Sequence, residues 1–324
     1  MRLILILALS VLTACQSTAP PPVDGQILDL HNGRAVTPQA LIERLARAPR
    51  VVVGEQHDNP DHHALQLWLL QALTAQRAQG SLLLEMLTPH QQPRVDAVRQ
   101  LPALPTDLPG ALDWSPGWDW SLYGPVVEFA LTQRYPLLAA NLDTAEIQRV
   151  YRQAPDLRGA RANAASVKDQ LLEQIRQSHC GLLPESQMPA MLAVQQQRDR
   201  RMAERLLAAP LPALLFAGAW HGRKDVGVPL HVLDLGASEA PIVLMLAEEG
   251  SEMTSVMADY VWYTKATPPQ DYCAQMREHS AFPPDKKKTR QKSGQITVIS
   301  LMRRYLRVRT KGYSNIDQSR DRMR

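Results

Sequence analysis

Short apolar runs alternate along this chain with longer stretches whose apolar residues recur at helical spacing. Five runs read as strands: RVVVGE (50–55), SLLLEML (81–87), YPLLAANL (135–142), PALLFAGAW (212–220) and PIVLMLAE (241–248). Rich in Val, Leu and Ile and without polar alternation, they suit strands covered on both faces. The stretch after the first run opens with Asn59 as a helix N-cap and Pro60 at the first helical position, and it ends at Gly80. Another opens with Asp143, followed three residues later by Glu146, the spacing of a capping box. Over residues 145–209 there is no strand signal, only helical segments broken near Gly181 and Pro184. This reads as a helical insertion, a small subdomain over one edge of the sheet. The β–α alternation predicts an α/β fold: a three-layer, mostly parallel sheet flanked by helices, with that subdomain attached.

The two ends change the picture. Residues 1–14 hold Arg2, an apolar run and a small-residue ending, too short to span a bilayer and built like an export signal. Leu12, Thr13, Ala14 and Cys15 resemble a bacterial lipobox, which implies lipidation of Cys15, including palmitate. With Gln16 next, the resemblance implies the outer membrane. Residues 15–25 form a proline-rich tether, residues 26–280 the folded domain, and residues 281–324 a basic tail expected to be disordered. Residues 286–324 carry 13 Lys and Arg against 2 Asp, leaving 23 basic and 30 acidic residues for the rest. The pI near 9.0 therefore describes the tail, not the body. Its densest run, KKKTRQKSGQ, has no interleaved aromatics, so no nucleic-acid partner is expected. Two cysteines remain, Cys180 and Cys273. An exported location allows them to pair and fasten the C-terminal part to the helical middle; two separate buried thiols are the alternative.

Ligands of open parallel sheets bind beyond the carboxyl ends of the strands. Three ends carry suitable groups: Gly54, Glu55 and His57 after the first run, Glu85 on the second, and Gly218, His221, Arg223, Lys224 and Asp225 after the fourth. The first and fourth share Gly-x-x-His, in which glycine lets the backbone turn and a ligand approach, and the histidine points back over the strand end. His62 and His63 fall in the first turn of the following helix and read as one solvent-facing and one packed imidazole. Glu55 and Glu85 equally suit capping of helix N-termini. A cluster of Trp114, Trp118, Trp120 and Tyr123 reads either as packed aromatics under a loop or as an apolar wall for a flat ligand, with Tyr123 as an oxygen donor. There is no Gly-x-Ser-x-Gly, His-Glu-x-x-His, phosphate loop or Gly-x-Gly-x-x-Gly.

GEQHDNPDHHALQ, LLLEML, WDWSLYGPVVEFA, HCGLLP and GAWHGRKDVGVPLHV together resemble the ChaN-like, haem-binding uptake family of bacterial lipoproteins, over roughly residues 25–275. This family shares a superfamily with Tiki, TraB and erythromycin-esterase proteins. The resemblance implies non-covalent binding of ferric haem at the outer membrane for iron acquisition. Haem would be held between the two protomers of a homodimer, with a tyrosine on the iron and an outer-membrane haem receptor as a partner. Tyr123 is the first choice of ligand, with Tyr260 and Tyr263 next. Trp120, His57 and His221 are further haem-contact candidates, and Lys224 or Arg223 beside His221 would pair with a propionate. The enzymatic alternative is a hydrolase in which Glu55, His57, Glu85 and His221 hold a divalent metal. A lipoprotein that only engages an envelope partner is a third reading.

Overall fold

The protein is described by a computed structural model over residues 19–281; the expected signal peptide, Cys15 and the tail beyond residue 281 lie outside the described residues. A hairpin of β1 (Gln26–Asp29) and β2 (Arg34–Ala35) precedes α1 (Pro38–Arg47), β3 (Arg50–Glu55), α2 (Pro60–Gln76) and β4 (Ser81–Leu84). Then come α3 (Gln92–Arg99), the one-turn α4 (Leu108–Ala111), α5 (Trp120–Leu131), β5 (Leu137–Ala139), α6 (Thr144–Arg152), α7 (Ala165–Ser178) and α8 (Met188–Ala208). The chain closes with β6 (Ala213–Gly218), the one-turn α9 (Ala219–Gly222), α10 (Val228–Asp234), β7 (Ile242–Glu248), β8 (Tyr260–Thr264) and α11 (Tyr272–Ala281). The strands form one sheet in the order β2-β1-β8-β7-β3-β6-β4-β5. It is parallel from β8 to β5, and β1 runs antiparallel to both its neighbours.

Successive residues of each central strand feed opposite cores, which is why the runs read as uniformly apolar. Val51, Val53, Leu214, Phe216 and Leu244 meet Leu69 and Leu73 of α2 and Val127 of α5 on one face. Val52, Leu215, Ala217 and Val243 meet Met202 and Leu206 of α8 and Val232 of α10 on the other. The sheet thus lies between two helical layers, as the pattern predicts.

All five predicted strands form, though the second and third are trimmed: β4 stops at Leu84 and β5 spans Leu137–Ala139. Three strands went unread. β1 and β2 have only four and two residues. In β8, Tyr260 and Trp262 pack into one core and Val261 and Tyr263 into the other, so a mixed aromatic run hides the strand. The helix starts hold: Asn59 Oδ1 accepts from Asp61 and His62 N–H, and Asp143 and Glu146 form both halves of a capping box. The helical stretch is less separate than expected, because the C-terminal half of α8 lies within the second core. Cys180, after α7, is bonded to Cys273 in α11. Among the described residues, no helix is long and apolar enough to cross a membrane.

Candidate functional site

The loop after β3 is gripped from below by α2. His62 Nδ1 accepts from the Gln56 N–H at 3.0 Å, and its Nε2 meets the Thr264 hydroxyl at 3.1 Å. Only a neutral imidazole can accept at Nδ1, and burial pushes His62 down to about 3. His63 Nε2 donates to the His57 carbonyl at 3.1 Å. Both helix histidines are therefore buried; neither faces solvent as expected, because the helix start is tucked against the loop it supports. This leaves His57 as the histidine turned into the site.

His57 Nδ1 lies 2.7 Å from Glu55 Oε1 and 2.9 Å from the Tyr123 hydroxyl, which itself donates to Glu55 at 3.1 Å. All three side chains are buried. Burial opposes ionisation of Glu55, but the attraction and hydrogen bond of His57 outweigh it and hold the carboxylate below its ordinary range. Burial, reinforced by the charges of Glu55 and Glu85, pushes the Tyr123 phenol well above its ordinary value. Glu55 Oε2 is buried with no hydrogen-bond partner among the described residues.

A second group faces the first from β4, β6 and α8. Glu85 Oε2 accepts from the Gly218 N–H at 2.8 Å, and its other oxygen is 3.3 Å from His221 Nε2. His221 Nδ1 meets Asp199 at 2.6 Å. Burial alone would lower the His221 pKa, but Glu85 and Asp199 raise it to about 10, so it is an imidazolium at neutral pH. Burial also pushes Asp199 up, so the proton shared between the two is held firmly. The motifs interlock through glycine: a Cβ on Gly218 would lie 2.6 Å from His57 Nε2. The histidine of the first Gly-x-x-His thus fills the space left by the glycine of the second. Glu55 and Glu85 turn into this chamber rather than capping helices.

Asp199 was missed from sequence. Its only signal was charge inside the apolar-periodic segment of α8, with Gln195 four residues earlier on the same face and 3.3 Å from His221. Trp118 also exceeds its sequence signal, its ring edge-on to His57 at 4.9 Å. Trp120 is one layer removed, against Trp114. The two expected propionate partners are engaged within the chain: Arg223 holds Asp225 and stacks over Trp220 at 4.3 Å, and Lys224 Nζ is 2.5 Å from Asp259. Tyr260 and Tyr263, on β8, do not join the chamber; Arg44 lies over the Tyr260 ring. Among the described residues, no three His, Cys, Asp or Glu side chains converge as a metal site would require.

The chain is similar to proteins of known structure. The model of the haem-binding uptake, Tiki superfamily, ChaN family matches residues 41–232. A solved structure described as cofacial heme binding to ChaN of Campylobacter jejuni is 31% identical, with a TM-score of 0.69 over 75% of this chain and 98% of that one. An erythromycin esterase variant in its open conformation aligns at 14% identity and a TM-score of 0.42, over 74% of this chain and 82% of that one. A succinoglycan biosynthesis protein aligns at 10% and 0.35, over 64% and 68%. Among curated proteins, none matches the sequence. The family match spans the chamber residues Glu55, His57, Glu85, Tyr123, Asp199 and His221, and the chain belongs to the ChaN-like haem-binding uptake family of the Tiki superfamily.

Proposed function

We propose that the protein binds ferric haem non-covalently at the rim of the strand-end chamber. In this reading it is a homodimer tethered to the outer membrane through a lipid on Cys15, passing haem to a receptor in iron acquisition. The observation that carries the reading is the rim. Half-buried Trp118 and Trp220 adjoin the two motif histidines, and Arg223 and Lys224 follow directly. Such a rim offers apolar area to a porphyrin plane, and Arg223 and Lys224 would meet its propionates by exchanging Asp225 and Asp259 for them. The chamber itself, filled by Glu55, His57, Glu85, Asp199 and His221, is too polar and enclosed for a ring of that size.

Haem, when bound, supplies an iron that a hard oxygen donor holds in the ferric state. Tyr123 is the tyrosine that touches the motif residues, and to ligate it must turn from Glu55 and release its proton. The deciding measurement is a titration of the mature chain with ferric haem, followed by absorbance and by mass in solution. A saturable tyrosinate-type spectrum with a shift to dimer is expected; no saturable change would sink the proposal. Tyr123→Phe is expected to remove that spectrum without unfolding the protein. An unchanged spectrum would pass the role to Tyr260 or Tyr263.

A second reading, hydrolysis, is favoured by one observation: His57 lies between a carboxylate and a phenol, a geometry suited to moving a proton. The metal-dependent form fits less well, because Glu55 pairs with His57 and Glu85 with His221 instead of converging on one point. Metal content and turnover of ester and peptide substrates test it.

A further inference from the structure

The C-terminal segment, which lies beyond the family match ending at Val232, reaches back to the loop that carries His57. Leaving β8, Thr267 donates to Glu248 Oε1 from its backbone N–H at 3.1 Å and its hydroxyl at 2.6 Å; the same oxygen accepts from Asn59 Nδ2 at 2.9 Å. Five residues on, the Tyr272 hydroxyl donates to Asp58, the neighbour of His57. Next to it, Cys273 is bonded to Cys180 in the turn after α7. Residues 56–59 are thus held on one side by His62 and His63 and on the other by this segment.

The segment cannot hold itself in place. α11 has ten residues, and isolated helices shorter than about 12 are marginal in water. Among the contacts that anchor its first turn are a hydrogen bond from Tyr272 and a covalent bond from Cys273.

We propose that residues 265–281 form a thiol-sensitive strap that positions the His57 loop. Tyr272 is a positioning residue acting through Asp58. A dithiol reductant gives two electrons and two protons to the Cys180–Cys273 bond, leaving two thiols and itself becoming a disulfide. α11 then retains only its non-covalent anchors, Tyr272 withdraws from Asp58, and the loop loosens. The ligand consequence rests on the haem reading; the loop consequence does not.

The test uses the mature chain, oxidised or treated with dithiothreitol, beside a Cys180→Ser, Cys273→Ser double variant and a Tyr272→Phe variant that keeps the disulfide. Amide hydrogen exchange needs no ligand. Reduction is expected to speed exchange at residues 56–59 by about tenfold or more while leaving β6 protected, the pattern of local rather than global opening. Tyr272→Phe should show part of the same effect, and reoxidation should reverse it. Stopped-flow mixing with ferric haem should show faster association and faster release in the reduced chain. Unchanged exchange at 56–59 on reduction overturns the strap, as does an opening free energy at 56–59 equal to that of β6, the sign that both open only globally. If the oxidised chain does not bind haem, the functional reading fails while the exchange arm still decides the strap.

Discussion

Tyr123 and Glu55 set a conflict that haem binding would have to resolve. A phenol that ligates iron must shed its proton, yet burial and the adjacent carboxylate favour the protonated form. Removing that charge lowers the barrier, so Glu55→Gln is expected to tighten ferric haem binding, measured by the same titration. Weaker binding would mean that Glu55 serves the ligand directly. On the other side, Asp199→Asn takes away a charge that keeps His221 protonated. Its pKa should fall from about 10 toward 6.5, readable by NMR titration of the imidazole, with a stability loss of about 3–5 kcal/mol for a broken buried pair. Gly218→Ala drives a methyl group into His57 and should cost about 1–3 kcal/mol by overpacking, seen as a lowered urea midpoint.

At the scale of elements, the start of α2 is the loop's foundation, and it is sensitive to acid. His62 and His231 are each held neutral with pKa values lowered to about 3. A folded-state pKa below the ordinary 6.5 gives stability that is present above pH 6.5 and lost as pH falls toward 3. His221 has the opposite sign: its stabilisation is present below 6.5 and lost between 6.5 and about 10. Stability measured by urea titration should therefore decline on both sides of neutrality, and His62→Gln should flatten the acid side.

Much of this scaffold was legible in the sequence. Uninterrupted Val and Leu runs marked the two-faced strands, and Asn59, Pro60, Asp143 and Glu146 marked helix starts by local chemistry. The two Gly-x-x-His motifs located Glu55, His57 and His221. What could not be read depends on distant partners. Asp199 becomes a site residue only because α8 folds back over the ends of β4 and β6. The burial of His62 depends on contact with Thr264 of β8, a strand that pairing reveals and composition conceals, and that of His63 on the His57 carbonyl and the Tyr123 ring.

The whole molecule is fastened by Cys180–Cys273, 93 residues apart. By chain-entropy reasoning, closing a loop of that length contributes roughly 2–5 kcal/mol, so the double serine variant should show a matching fall in unfolding free energy. The order of the sheet adds a constraint in time. β1, at residues 26–29, leaves a ribosome long before β8, at residues 260–264, which with the two-residue β2 is its partner. β3 likewise lacks its β7 neighbour until residue 248 has emerged. For most of its delivery the chain therefore presents unpaired edges of apolar strand, the kind of surface that invites association with other chains. Under the export proposed above, the chain has to be kept unfolded, or shielded by a holding chaperone, until β8 is across.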